Sequence, residues 1–135
     1  MNKLEAHDLM FALVKTTLEA NSLEDISWPN VEFTIPSDNW ARVSTVSGGG
    51  DQNSLSDRIG QRIWNNTGTL YVECFSPIGS SAIAPEEFCE YLVGAFRSAN
   101  HGSLFYRRPK SVESKPDGGF LKQVFMVDYE YDSIA

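Results

Sequence analysis

From Thr69 to Phe75 the chain reads Thr-Leu-Tyr-Val-Glu-Cys-Phe, and the side chains change character at every step. Leu70, Val72 and Cys74 form the smaller, drier set; Thr69, Tyr71, Glu73 and Phe75 form the other. Successive side chains of an extended backbone leave on opposite faces, so this period of two in β-branched and aromatic residues predicts a strand. Leu70, Val72 and Cys74 are expected to face helices. Pro77 has no N–H to give to a ladder, so pairing should end near it. A strand with two such different faces must be paired along its edges and covered on the dry side, and the remaining segments supply what pairs with it and what covers it.

Residues 3–20 predict the first cover: Leu4, Phe11, Val14 and Leu18 recur at helical spacing, with Met10, Leu13 and Thr17 beside them, and Asn21-Ser22 ends the run. Trp28 precedes Pro29 and is expected to be extended, and residues 36–39 to turn. Residues 40–47 alternate again, Ala41, Val43 and Thr45 against Trp40, Arg42, Ser44 and Val46. Residues 85–99 predict a second helix with Phe88, Leu92, Ala95, Phe96 and Ala99 on its apolar face, Pro85 at its first position, Glu86 and Glu87 at its positive end, and Gly102 as its left-handed cap. Residues 103–114 read as a strand that Pro109 confines to an edge or a bulge. After the turn Pro116-Asp117-Gly118-Gly119, residues 120–131 alternate, with Phe125, Val127, Tyr129 and Tyr131 on one face and Lys122, Val124, Met126, Asp128 and Glu130 on the other. The order predicts an α+β fold: one domain over residues 1–135, with two helices packed on an antiparallel or mixed sheet.

A segment of different character, Gly48-Gly49-Gly50-Asp51-Gln52-Asn53-Ser54-Leu55-Ser56-Asp57, is expected to be a mobile loop. No Gly-Lys-Ser/Thr follows its glycines, which argues against a phosphate loop; ordering on a partner is the expected role. The chain carries no HExxH, no CxxC and no Ser-His-Asp elbow. Its two histidines, His7 and His101, have no metal-ligand spacing, so neither metal nor cofactor is expected. Glu73 beside Tyr71 and Asp128 beside Glu130 are read as outward strand residues rather than an acid–base pair. Cys74 and Cys89, the two cysteines, are expected to be buried thiols. The N-terminus places acids where an export signal needs an apolar core, and no apolar run reaches the length of a membrane span.

The stretch Asn-Thr-Gly-Thr-Leu-Tyr-Val-Glu-Cys-Phe-Ser-Pro-Ile-Gly at 66–79, with Arg62 before it, resembles the middle of tail terminator proteins of long-tailed bacteriophages. Trp28-Pro29-Asn30-Val31 with Phe33, then Trp40-Ala41-Arg42-Val43 before the glycines, are similar to the early part of that family. Arg107-Arg108-Pro109, a glycine turn, and Phe120, Val124, Val127, Tyr129 and Tyr131 are similar to its last third. The pieces are packing and turn signatures, and their order covers nearly the whole chain.

The resemblance implies a structural virion protein, not an enzyme. Copies assemble into a ring, commonly six-fold, on the head-proximal end of the tail tube in the host cytoplasm. There they stop addition of the major tube protein and offer a surface to the head connector, and genome DNA passes through unbound. Another ring-forming head-closure protein is the nearer alternative, and a small ligand-binding or enzymatic domain the farther one.

Charge is consistent with these expectations. The net charge of −7 argues against tight binding of nucleic acid. It is also uneven: residues 1–38 carry two Lys against seven Asp or Glu, whereas residues 107–122 carry five Lys or Arg against two acids. Two such patches suit a head-to-tail contact, with the hairpin at 103–131 as one face and the first helix as the other. The residues expected to meet other proteins are Arg42; Asp51, Gln52, Ser54 and Leu55 in the loop; Arg58 and Arg62, which suit a phosphate or, better in a ring, a neighbouring copy; and Arg107, Arg108 and Lys110.

Overall fold

The computed structural model describes residues 1–52, 63–79 and 83–134. The elements run α1 (Lys3–Ala20), β1 (Ile26–Ser27), β2 (Trp40–Gln52), β3 (Ile63–Pro77), α2 (Ile83–Ser98), β4 (Leu104–Glu113) and β5 (Phe120–Ile134). One five-stranded mixed sheet has the order β1-β2-β3-β5-β4. The expected α+β fold, two helices on one sheet, is what the chain adopts.

β3 and β5 pair along their whole lengths, Ile63 opposite Ile134 and Pro77 opposite Phe120. At roughly 3.3 Å per residue this ribbon is about 50 Å long. The strand anticipated around residues 69–75 is therefore its middle. β3 and β4 both run antiparallel to β5, so they are parallel to each other, a relation that requires a crossover connection; α2 provides it. β4 joins β5 through Gly118 and Gly119, with φ of +57° and +85°. Two consecutive left-handed residues match the right-handed twist of a hairpin, and Asp117 and Phe120 exchange both backbone hydrogen bonds across the turn, each 2.9 Å.

The helices cover one face of the sheet. Leu70, Val72 and Cys74 lie under them as expected, together with Ala41, Val43, Phe125, Val127, Tyr129 and Tyr131, all buried. α2 contributes Phe88, Cys89, Leu92, Val93 and Phe96. α1 buries Ala6, Met10, Val14 and Leu18, one residue per turn, whereas Leu4, expected on that face, is 70% exposed. Asn2 caps α1, its side-chain oxygen accepting from the Glu5 N–H at 2.8 Å. At the other end Ser22 takes the left-handed position, φ +66°, and the N–H groups of Ser22 and Leu23 close onto the carbonyls of Glu19 and Leu18. α2 begins at Ile83, which places Pro85 third rather than first; Gly102, φ +67°, forms the turn before β4 instead of capping the helix at Ser98.

The glycine-rich segment differs most from expectation. Gly48 to Gln52 are not a loop; they extend β2, with Gly49, Gly50, Asp51 and Gln52 opposite Thr67, Asn66, Asn65 and Trp64. Gly48 is the extra residue of a bulge, where a Cβ would lie 2.8 Å from the Thr67 Oγ1. Gly48 serves close approach within a ladder. Residues 53–57 of the anticipated loop lie outside the described residues.

Candidate functional site

Among the described residues the face of the sheet away from the helices has no second layer over most of its area, and it divides into two regions. At one end it carries a small core of its own. Trp40 stacks on Phe75 with centroids 4.1 Å apart and planes 9° from parallel; Phe33 stacks on Trp40, and Phe120 meets both edge-on. Phe75 is 1% exposed although no helix covers it. Stacked pairs of this kind contribute about 0.5–1.5 kcal/mol beyond area burial. Over them lies an ion triad: Arg42 meets Glu73 through both carboxylate oxygens, at 3.1 and 3.0 Å, and Lys122 meets the same carboxylate at 3.0 Å. Burial alone would raise the Glu73 pKa; the hydrogen bonds from Arg42 and Lys122 outweigh it and hold the carboxyl below its usual range. Arg42, expected to reach a partner, is thus engaged within its own chain.

The other end is bare. A cleft of about 340 Å³ opens between β2 and β4, bordered by Val46, Gly48, Thr69, Arg107, Arg108, Asp128 and Glu130, and a second hollow of about 210 Å³ continues it toward Tyr71, Lys110 and Met126. Val46, Phe105 and Val112 are 59%, 56% and 41% exposed on this face. Tyr129 lies across Gly68 at the cleft's edge; a Cβ on Gly68 would stand 2.4 Å from the tyrosine oxygen, so only glycine fits there.

The cleft owes its charge to one extra residue in β4. Arg107 is opposite Asp128 and Lys110 opposite Met126, so Arg108 and Pro109 together face Val127. With regular alternation Lys110 would turn beneath the helices. The bulge shifts the count by one, and Arg107, Arg108 and Lys110 all border the bare face. Pro109, with no N–H to lose, suits the position, and Arg108 has a left-handed backbone, φ +53°. Arg107 pairs with Glu130, and Asp128 accepts from the Thr69 hydroxyl at 3.0 Å. Arg108 and Lys110 make no hydrogen bond or ion pair among the described residues.

Of the residues expected to meet partners, the structure brings together Arg107, Arg108 and Lys110, and places Arg42 elsewhere on the same face. Asp51 and Gln52 belong to the far end of β2; Ser54, Leu55, Arg58 and Arg62 lie outside the described residues. Val46, Thr69, Tyr71, Met126, Asp128 and Glu130 are site residues that the sequence shows only as strand residues; the alternation puts Val46 on the face of Arg42, and only the strand pairing joins the others to it. Cys74 and Cys89 are buried and unbridged, as expected. Hydrogen bonding with Cys89, together with complete burial, raises the Cys74 thiol well above its usual range, so it is no thiolate nucleophile. No group of three or more His, Cys, Asp or Glu with metal-binding geometry occurs among the described residues, and no helix among them is long and apolar enough to cross a membrane.

These features define a one-sheet α+β protein roofed on one side only, with a charged, shallow cleft on the other. No family model matches the chain, and no curated protein does. One solved protein that bears no functional name is similar over 93% of this chain and 94% of its own, with a TM-score of 0.63 and 17% sequence identity. At that identity the likeness concerns the fold.

Proposed function

We propose that this protein is a tail terminator of a long-tailed bacteriophage, a structural subunit that caps the tail tube as a ring, ends tube growth and presents the surface to which the head is joined. The observation that carries this reading is the bare sheet face. A ring subunit needs two unlike surfaces, one to give and one to receive, and a sheet roofed on one side supplies them. The exposed Val46, Phe105 and Val112, and Arg108 and Lys110 with no partner among the described residues, give that face contact chemistry around a shallow cleft. The resemblance runs from the segment after β1 through β2, β3, β4 and β5 in order, which supports the same reading. The partners are then other copies of the chain, the major tube protein and the head connector, and the location is the head-proximal end of the tail. With net charge −7, DNA is expected to pass without sticking.

The test is imaging of tails assembled with and without the protein. Tubes of uncontrolled length in its absence, restored to uniform length by adding it back, are the expected result. Tubes of normal length that still lack heads would transfer the protein to head closure, and normal virions would end the proposal.

A further inference from the structure

The cleft holds two cations that bind nothing among the described residues, and the opposite side of the molecule carries a matching set of acids. On the outward face of α2, Glu86, Glu87 and Glu90 are exposed, make no hydrogen bond or ion pair among the described residues, and surround Tyr91, which is 46% exposed. Their spacing of three and four residues makes them one patch. α1 is the poorer match, although residues 1–38 hold more acids overall: Glu5 accepts from the Asn2 side chain at its N-terminus, and its exposed Asp8 and Glu19 stand eleven positions apart in the sequence.

We propose that the cleft receives the outer face of α2 from a second copy of this chain, with Arg108 and Lys110 taking Glu86, Glu87 and Glu90, and Tyr91 lying against Val46 and Met126. This deepens the ring reading given above and rests on it for the closure of the ring, though not for the contact itself. Three features of the structure argue for it. The signs are complementary, and neither set of charges has another partner among the described residues. The bulge that turns Lys110 outward keeps a non-glycine residue at positive φ, a conformation usually maintained where surrounding structure or function requires it. The two surfaces also point away from each other, since the inner side of α2 is buried against the helix-covered face while the cleft lies on the bare one. A contact between opposite sides of one molecule is heterologous, so copies add head to tail until the rotation closes. A nucleic acid is the poorer occupant, because Asp128 and Glu130 stand in the cleft wall.

The test uses two charge-reversal variants of the full chain, Arg108→Glu with Lys110→Glu, and Glu86→Lys with Glu87→Lys and Glu90→Lys. An equal mixture of the protein labelled with light and heavy nitrogen is treated with a carbodiimide at its highest soluble concentration. The coupling joins Lys110 to a carboxylate it touches, and mass spectrometry identifies links between light and heavy copies. Links from Lys110 to Glu86, Glu87 or Glu90 are expected in the wild type. Self-association, measured by sedimentation, should weaken by roughly tenfold or more in each variant alone and return when the two are mixed, because each then supplies the surface the other has reversed. Unchanged melting temperatures establish that the variants fold. Absence of mixed-label links, or folded variants that associate as the wild type does, overturns the proposal. The tail-length assay is independent: overlong tubes with indifferent charge reversals would remove this interface and keep the terminator, and the opposite pair of results would do the reverse.

Discussion

Glu73 shows how much depends on a single carboxylate in a sheet. It receives Arg42 from β2 and Lys122 from β5, so it ties three strands together on the face the helices do not protect. Because its pKa is lowered in the fold, its contribution to stability is present above the ordinary carboxylate range and is lost as pH falls through the folded value. Glu73→Gln is therefore expected to destabilise the protein by about 1 kcal/mol at neutral pH, a modest figure because Arg42 is part-exposed. That difference should shrink as pH falls below about 4.5, the unperturbed value. Urea titrations of the two proteins between neutrality and pH 3 measure it, and a difference independent of pH would contradict the assignment. The sequence gave Glu73 its face, through the alternation with Tyr71 and Phe75. It did not give its partners, because Arg42 and Lys122 are 31 and 49 positions away, and only the strand register decides that they meet.

At the scale of elements, the turn that ends α1 and strand β4 each hold a residue in an unfavourable backbone conformation, for different reasons. Ser22 occupies the left-handed position of a helix-ending motif in which Leu23, 1% exposed, folds back beside Leu18. Nothing at Ser22 requires its side chain, so Ser22→Gly should stabilise the protein by about 0.5–1 kcal/mol, seen as a rise in melting temperature. A fall would mean that the hydroxyl has a role the geometry does not reveal. Arg108, by contrast, sits in the bulge that shapes the cleft. Pro109 made an edge or a bulge legible in the sequence, and β4 is both. Which way Lys110 points was not legible, because one extra residue reverses every later side chain and leaves no mark in the alternation itself. The glycines at 48–50 are ambiguous for a related physical reason: absence of a side chain serves a flexible loop and a crowded ladder equally well, and at Gly48 only the neighbouring Thr67 distinguishes them.

For the whole molecule, the class of fold could be read from the order of two helical and several alternating segments. The strand order could not, since insertion of β5 between β3 and β4 is a choice among distant partners. The same topology predicts a single cooperative unit. Every strand except β1 pairs directly with β3 or β5, and both helices pack on the face those two strands centre. Thermal melts followed by backbone dichroism and by the fluorescence of Trp28, Trp40 and Trp64 should therefore coincide. Separate transitions would show that the surroundings of one or more tryptophans unfold independently of the sheet.

The β3–β5 ribbon has a mechanical corollary. A pull that drags Ile63 and Phe120 apart along the strands loads every rung between them at once, in shear. A pull that separates Pro77 from its neighbour Phe120 breaks the rungs in turn, as a zipper opens. The protein is thus stiff along one axis and yielding across it, and the direction from which tension arrives decides whether it holds.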